Sequence, residues 1–184
     1  MAAVVRVLAI RNMDYQLLMF LNGLAASPAF TWLIIFFGKY ATYLAVAFML
    51  LGIVFRSRLR KILIDALLAG LAARFIIVPI IRLFYHRPRP FIALHDVNKL
   101  IVDNDYSFPS GHASFFFAIA VVLFVYDKRL GVAFFILGTL ISVSRVAAGV
   151  HYPSDIVGGL IVGSLVAWLA LRAKKVLGCS TKFG

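Results

Sequence analysis

The stretch FTWLIIFFGKYATYLAVAFMLLGIVF, Phe30 to Phe55, decides the fold class. It holds 26 residues with a single charge, Lys39, and no proline. About 20 mostly apolar residues suffice for a helix to cross a bilayer. Working outward, four more segments have this character: about Ile62 to Tyr85, Ser110 to Tyr126, Leu130 to Val150 and Ser154 to Leu171. The second of the five carries Asp65, Arg74 and Arg82 within it. Residues 1–28 differ. Arg6, Arg11, Asn12, Asp14 and Gln16 interrupt the apolar residues, and the segment reads as an amphipathic interfacial helix. A short sixth span is the alternative there. The expected architecture is all-α: a polytopic membrane helical bundle of about five transmembrane helices plus the N-terminal amphipathic helix. The division is 1–28 interfacial, 29–174 transmembrane domain and 175–184 tail.

Composition agrees. Of 184 residues, 63% are hydrophobic and only 14% charged, against about 25% charged in soluble domains. The mean hydropathy is +0.99. A disordered chain and a nucleic-acid-binding tail are excluded, and a soluble domain of this size could not hide so much apolar surface. The one cysteine, Cys179, leaves no internal disulfide and no cysteine-based metal site.

The 19 Lys and Arg face 7 Asp and no Glu, for a net charge of +12. Their distribution orients the chain. Arg56, Arg58, Arg60 and Lys61 follow the first span, Lys128 and Arg129 the third, and Arg172, Lys174, Lys175 and Lys182 the fifth. All three places fall on one side of a five-span topology, which the positive-inside bias makes the cytoplasm. The loop 86–109 and the turn 149–153 then share the outer side. The cations there run against that bias.

Three clusters meet on the outer side: RLFYHRPRP (Arg82 to Pro90), Pro109-Ser110-Gly111-His112, and Ser144-Arg145 followed by His151 and Asp155. Arg82, Arg89 and Arg145 offer planar donor forks suited to phosphate oxygens. Ser110 and Gly111 stand where a helix begins, so free backbone N–H groups and the helix dipole favour an anion. His112 and His151 can divide the roles of acid and nucleophile. Asp155, four residues after His151, can accept from one imidazole nitrogen and leave the other free. Taken singly, each feature has an ordinary explanation: a helix cap, an interfacial anchor, a snorkelling arginine or a first-turn acid. Together they form an anion cradle, an oriented nucleophile and a proton donor. That is a phosphoryl-transfer site, and it calls for no metal or other cofactor.

These residues resemble the type 2 phosphatidic acid phosphatase superfamily, whose signature is KxxxxxxRP, PSGH and SRxxxxxHxxxD in that order. The second and third elements match in full at 109–112 and 144–155, and Arg89-Pro90 matches the end of the first. Arg82 stands where the family usually has lysine. The resemblance implies a helical bundle with the site at the membrane surface. It implies His151 as the nucleophile that forms a phosphohistidine, Asp155 as its orienting partner and His112 as the acid for the leaving oxygen. Arg82, Arg89, Ser110, Gly111 and Arg145 would bind the phosphate.

A lipid phosphate is the implied partner, with its tail in the bilayer. The short layout and the run His86 to Phe91 look most like bacterial undecaprenyl diphosphate phosphatases, which implies a bacterial cytoplasmic membrane with the site facing outward. Phosphatidylglycerophosphate, phosphatidic acid and lipid A 1-phosphate are the alternative substrates, and a non-catalytic lipid binder or transporter is the alternative of another class. Lys39 and Arg87 are candidate contacts to a second phosphate. Arg74, in mid-span, is either a functional cation or the partner of a buried group such as Asp65.

Overall fold

The computed structural model describes residues 2–176, with side chains from residue 12 onward; Cys179 and Lys182 lie outside this range. Helix α1 runs over Ala2–Gly23, and α2 over Pro28–Phe55. Helix α3 covers Arg60–Phe84, and α4 is the single turn Pro90–Ala93. Then follow α5 (Gly111–Tyr126), α6 (Lys128–Ala147) and α7 (Pro153–Val176). Four of these, α2, α3, α6 and α7, are long and apolar enough to cross a membrane.

The remaining expected span, third in chain order and here α5, has 16 residues. At 1.5 Å per residue it reaches about 24 Å, short of the ~30 Å hydrocarbon core. Its position explains why it can be short. The sequence GHASFFFAIAVVLFVY is apolar on every face, and a helix of that kind has to be enclosed. Eleven of its residues are buried, from Gly111 to Leu123. The main core forms around Phe115, Phe116, Ile119, Val122 and Leu123 with Ala66, Ala69, Met49 and Ile141. The outward faces of the other helices carry Trp32, Phe48, Phe55, Phe75, Leu165 and Trp168, all exposed. A broad apolar surface of this kind on spans of this length suits a lipid surrounding.

Helix α7 comes unusually close to α5. A methyl group on Gly163 would stand 2.4 Å from the Ser114 carbonyl oxygen, and one on Gly159 would stand 2.7 Å from that of Ser110. These glycines, four residues apart, let the two backbones touch. The close approach also fixes the start of α7 against the start of α5, because the Ser110 N–H donates to the Asp155 carbonyl over 3.0 Å.

Two spans contain a wide, π-helical turn: Phe36–Tyr40 in α2 and Ala73–Ile77 in α3. The second precedes Pro79, which has no N–H to donate back into the helix. Wide turns of this kind recur beside functional sites, and both of these lie in the half of their span nearer residues 86–109 and 148–153, whose end of the bundle is called here the site end.

Helix α1 buries the stripe Asp14, Leu18 and Asn22. The Asn22 amide donates to the carbonyls of Asn98 and Ala147, and the Ser154 N–H donates to Asp14. Both anchor points lie at the site end, so α1 runs across the ends of α6 and α7.

Arg74 and Asp65 do not pair. Asp65 forms an ion pair with Lys174 of α7. Nine residues separate Asp65 from Arg74, beyond the reach of neighbours on one helix face.

Candidate active site

His151 lies in the short connection between α6 and α7 and is 1% exposed. Its Nε2 is 3.3 Å from Arg89 Nη1. A guanidinium can only donate, so Nε2 presents its lone pair and the ring proton resides on Nδ1. Nδ1 stands 3.4 Å from Asp155 Oδ2, within ion-pair distance although not aligned as a hydrogen bond. Burial pushes the His151 pKa down to about 4, against the opposing pull of Asp155. The ring is therefore neutral at pH 7, as a nucleophile has to be.

Asp155 has 0% exposure, and its carboxylate is fully engaged. Oδ2 accepts from the Ser107 hydroxyl and from the Tyr152 N–H at 2.8 Å, and Oδ1 accepts from Arg87 Nη1 at 2.7 Å. A carboxylate with donors on both oxygens stays ionised and fixed. Pro153 opens α7 at a position where its missing N–H costs nothing, and Asp155 follows in the first turn, where the dipole favours a negative charge.

The residues of the expected anion cradle come from four elements, α3, α4, α5 and α6. Arg89, at the start of α4 and 1% exposed, donates through Nε to the Asp105 carbonyl at 2.6 Å and through Nη1 to the Val150 carbonyl at 2.8 Å. Burial lowers its pKa to about 10, so it remains a cation. Arg145, in the last turn of α6, donates to the Gly38 carbonyl at 3.2 Å, inside the wide turn of α2. Arg82, in the last turn of α3, donates to the Pro109 carbonyl at 2.9 Å and lies 3.4 Å from Asp105. The Nε atoms of Arg82 and Arg145 are buried without a partner. Ser110 caps α5 by accepting from the Ala113 N–H. Gly111 and His112 start that helix and line a cavity of about 130 Å³ together with Arg82, Arg89 and His151. The His112 imidazole makes no hydrogen bond among the described residues, which leaves it free for a ligand.

Sequence spacing alone did not single out one resident of the cradle. Asp103 pairs with Arg89 at 3.0 Å and, through its other oxygen, with Arg145. Burial would raise its pKa, but Arg89 and Arg145 hold it below the ordinary carboxylate range. Its two oxygens sit between two guanidiniums, as two oxygens of a phosphate would. Asp14 and Ser154 were also missed. They extend the network outward, with Arg87 donating to Asp14 at 2.9 Å and to Ser154 at 2.7 Å.

Arg87 and Lys39, the two candidates for a second phosphate, are both outside the cavity lining. The Arg87 fork is taken by Asp14, Ser154 and Asp155, and its plane lies 3.9 Å from the Tyr152 ring. Lys39 is exposed beside Tyr40. Arg74, by contrast, lines the cavity.

A family model described as the PAP2 superfamily matches residues 63–178, more than half of the chain. The chain belongs to this superfamily. It is a multi-pass membrane phosphatase acting on lipid phosphates. The undecaprenyl-diphosphatase BcrC of Bacillus subtilis (strain 168) is 32% identical over 169 residues, 90% of this chain and 86% of that protein. The crystal structure of Aquifex aeolicus LpxE superposes with a TM-score of 0.73 at 27% identity, covering 87% of this chain and 95% of that one. A PAP2-type phosphatidylglycerolphosphate phosphatase from Bacillus subtilis shares the fold, with a TM-score of 0.71 at 20% identity over 95% of this chain and 90% of that one.

Proposed function

We propose that this phosphatase hydrolyses a polyprenyl diphosphate, undecaprenyl diphosphate in the bacterial cytoplasmic membrane, to the monophosphate and inorganic phosphate. We further propose that it works through a phosphohistidine, with the site end facing outward. The observation that carries the chemistry is the His151 Nε2 lone pair. It is neutral, oriented from behind by Asp155 and aimed into a cradle of arginines. The 32% identity to an undecaprenyl-diphosphatase over 90% of the chain supports the substrate.

The terminal phosphate displaces Asp103 from Arg89 and Arg145. It takes further donors from Arg82, Ser110 and the N–H groups at the start of α5, where the dipole favours negative charge. His151 Nε2 attacks phosphorus from the side opposite the bridging oxygen, a P–N bond forms and the P–O bond breaks. Asp155 stabilises the ring as it becomes positive. His112, protonated in the substrate complex, gives its proton to the leaving oxygen and is left neutral. In the second half-reaction His112 takes a proton from water, the hydroxide oxygen attacks phosphorus, and the P–N bond breaks. Phosphate departs, and both histidines return to their starting states. The arginine cradle stabilises the extra charge on the three equatorial oxygens in both steps.

The test is phosphate release by purified protein from a panel of undecaprenyl diphosphate, phosphatidylglycerophosphate, phosphatidic acid and lipid A 1-phosphate. The diphosphate is expected to give the highest kcat/KM. A higher value for any of the three alternatives defeats the substrate assignment and leaves the phosphohistidine chemistry standing.

A further inference from the structure

Arg74 is the one guanidinium in the cavity that the steps above leave unused. Asp103 is shared by Arg89 and Arg145, and Asp105 takes Arg82. Arg74 has no hydrogen bond or ion pair among the described residues, and Asp65, its expected partner, belongs to Lys174. An arginine inside a span is costly unless it meets polar company. The Phe75 ring lies 5.4 Å from the Arg74 Cζ, and a hydrogen-bonding partner is left for the ligand to supply.

Its position says which part of the ligand. Arg74 lies in the wide turn Ala73–Ile77, two helical turns before Arg82, so it is roughly 12 Å further into the membrane along α3. Its side chain bends back to the cavity. A methyl placed on Gly111 would lie 3.5 Å from Arg74 Nη1 and 3.7 Å from Cγ. The guanidinium thus rests against the first residue of α5, next to His112. His112 marks the side from which the leaving group departs, and Phe75, Val78 and Pro79 line the cavity alongside Arg74. The lipid tail extends into the bilayer, so the leaving group passes between His112 and Arg74 on its way.

We infer that Arg74 binds the phosphate that stays on the lipid, and that it makes the enzyme prefer diphosphates to monophosphates. This inference rests on the diphosphatase reading above. In a prenyl diphosphate the group that leaves the phosphorus attacked by His151 is itself a phosphate, joined to it through the bridging oxygen. Arg74 meets its charge and stabilises the negative charge that accumulates on it as the P–O bond breaks. In a prenyl monophosphate the same place holds an alkyl oxygen and a methylene, and Arg74 has no anion to meet. The wide turn contributes by rotating residue 74 toward α5, while its neighbours Phe75 and Ile76 stay exposed to lipid.

Farnesyl diphosphate and farnesyl phosphate share one tail and differ only in the inner phosphate, so their ratio isolates this contact. In purified Arg74→Gln the ratio of kcat/KM for diphosphate over monophosphate should fall by about 10- to 100-fold, the loss of a charge-assisted hydrogen bond to an anion. Arg74→Lys, which keeps the charge but not the fork, should fall between the two. It gives the same reading if the glutamine variant does not fold. An unchanged ratio in both variants, with wild-type protein hydrolysing both lipids, overturns the role of Arg74 and leaves the diphosphatase reading intact. Wild-type protein that hydrolyses farnesyl phosphate but not farnesyl diphosphate overturns both.

Discussion

The two ends of the bundle hold the same residue type in opposite circumstances. At the basic end Arg56, Arg58, Lys61, Lys128, Arg129 and Lys175 are exposed. The one ion pair there among the described residues is Lys174 with Asp65. At the site end Arg89 and Arg145 are 1% and 3% exposed, and they donate to carbonyls and to Asp103, with the Arg145 Nε left over. An exposed cation in water interacts weakly with its surroundings and influences orientation in the membrane. A buried one keeps its full field and demands an anion. The net charge of +12 is therefore two populations with different physics. Substitutions at the two ends should differ in effect by orders of magnitude.

The largest effect belongs to His151. Its lone pair faces the cavity with Asp155 behind the ring, a backing that His112, the other imidazole of the lining, lacks, and the arginines cannot replace it. His151→Ala should lower kcat by about four orders of magnitude or more, while vanadate or phosphate still binds to the remaining cradle. Rapid quench with radiolabelled substrate should trap an acid-labile phosphoenzyme in wild-type protein and none in the variant. A labelled intermediate in His151→Ala would falsify the assignment of the nucleophile.

Asp103 provides a smaller effect of opposite sign. Phosphate and the Asp103 carboxylate compete for Arg89 and Arg145. Removing the carboxylate charge removes the competitor. In Asp103→Asn the inhibition constant for inorganic phosphate should drop by about 3- to 10-fold, the scale of one charge-assisted contact at a partly exposed group. A weaker hold on phosphate would mean that Asp103 organises the arginines and does not stand in their way.

How far these features could be read in advance differed between the two ends as well. Hydropathy located the four long spans to within a few residues, because a bilayer demands continuous apolar length. It also flagged α5, whose enclosure by the other helices follows from its apolar faces and not from its length. The spacing from His151 to Asp155 was legible because Pro153 opens a helix between them and sets both side chains at its start. Asp103 was not legible in this way. It lies in the irregular stretch 94–108, where local pattern says nothing about which side chain turns inward, and its position is decided by Arg89 and Arg145, 14 and 42 residues away. Asp14 read as a polar interruption of an apolar segment. With Leu18 and Asn22 it forms a stripe of four-residue spacing whose partners lie on other helices. The wide turns carry no composition signal beyond Pro79.

The smallest effect tests the other side of the comparison. Replacing Arg56 and Arg58 together by glutamine removes two exposed charges at the opposite end of the bundle from His151. Electrostatic influence through water falls away beyond about 10 Å at ordinary salt, so kcat/KM should stay within about twofold of wild type, the range of exposed surface charges. The remaining cations at that end should still hold the orientation. A cysteine at the exposed Val102, in a chain with Cys179→Ser, reads this directly. An impermeant thiol reagent added outside intact cells should label it in both backgrounds. Labelling only after the membrane is opened would reverse the orientation. A tenfold loss of activity with orientation kept would show that the two ends are coupled, and that the division between topological and chemical charge is drawn in the wrong place.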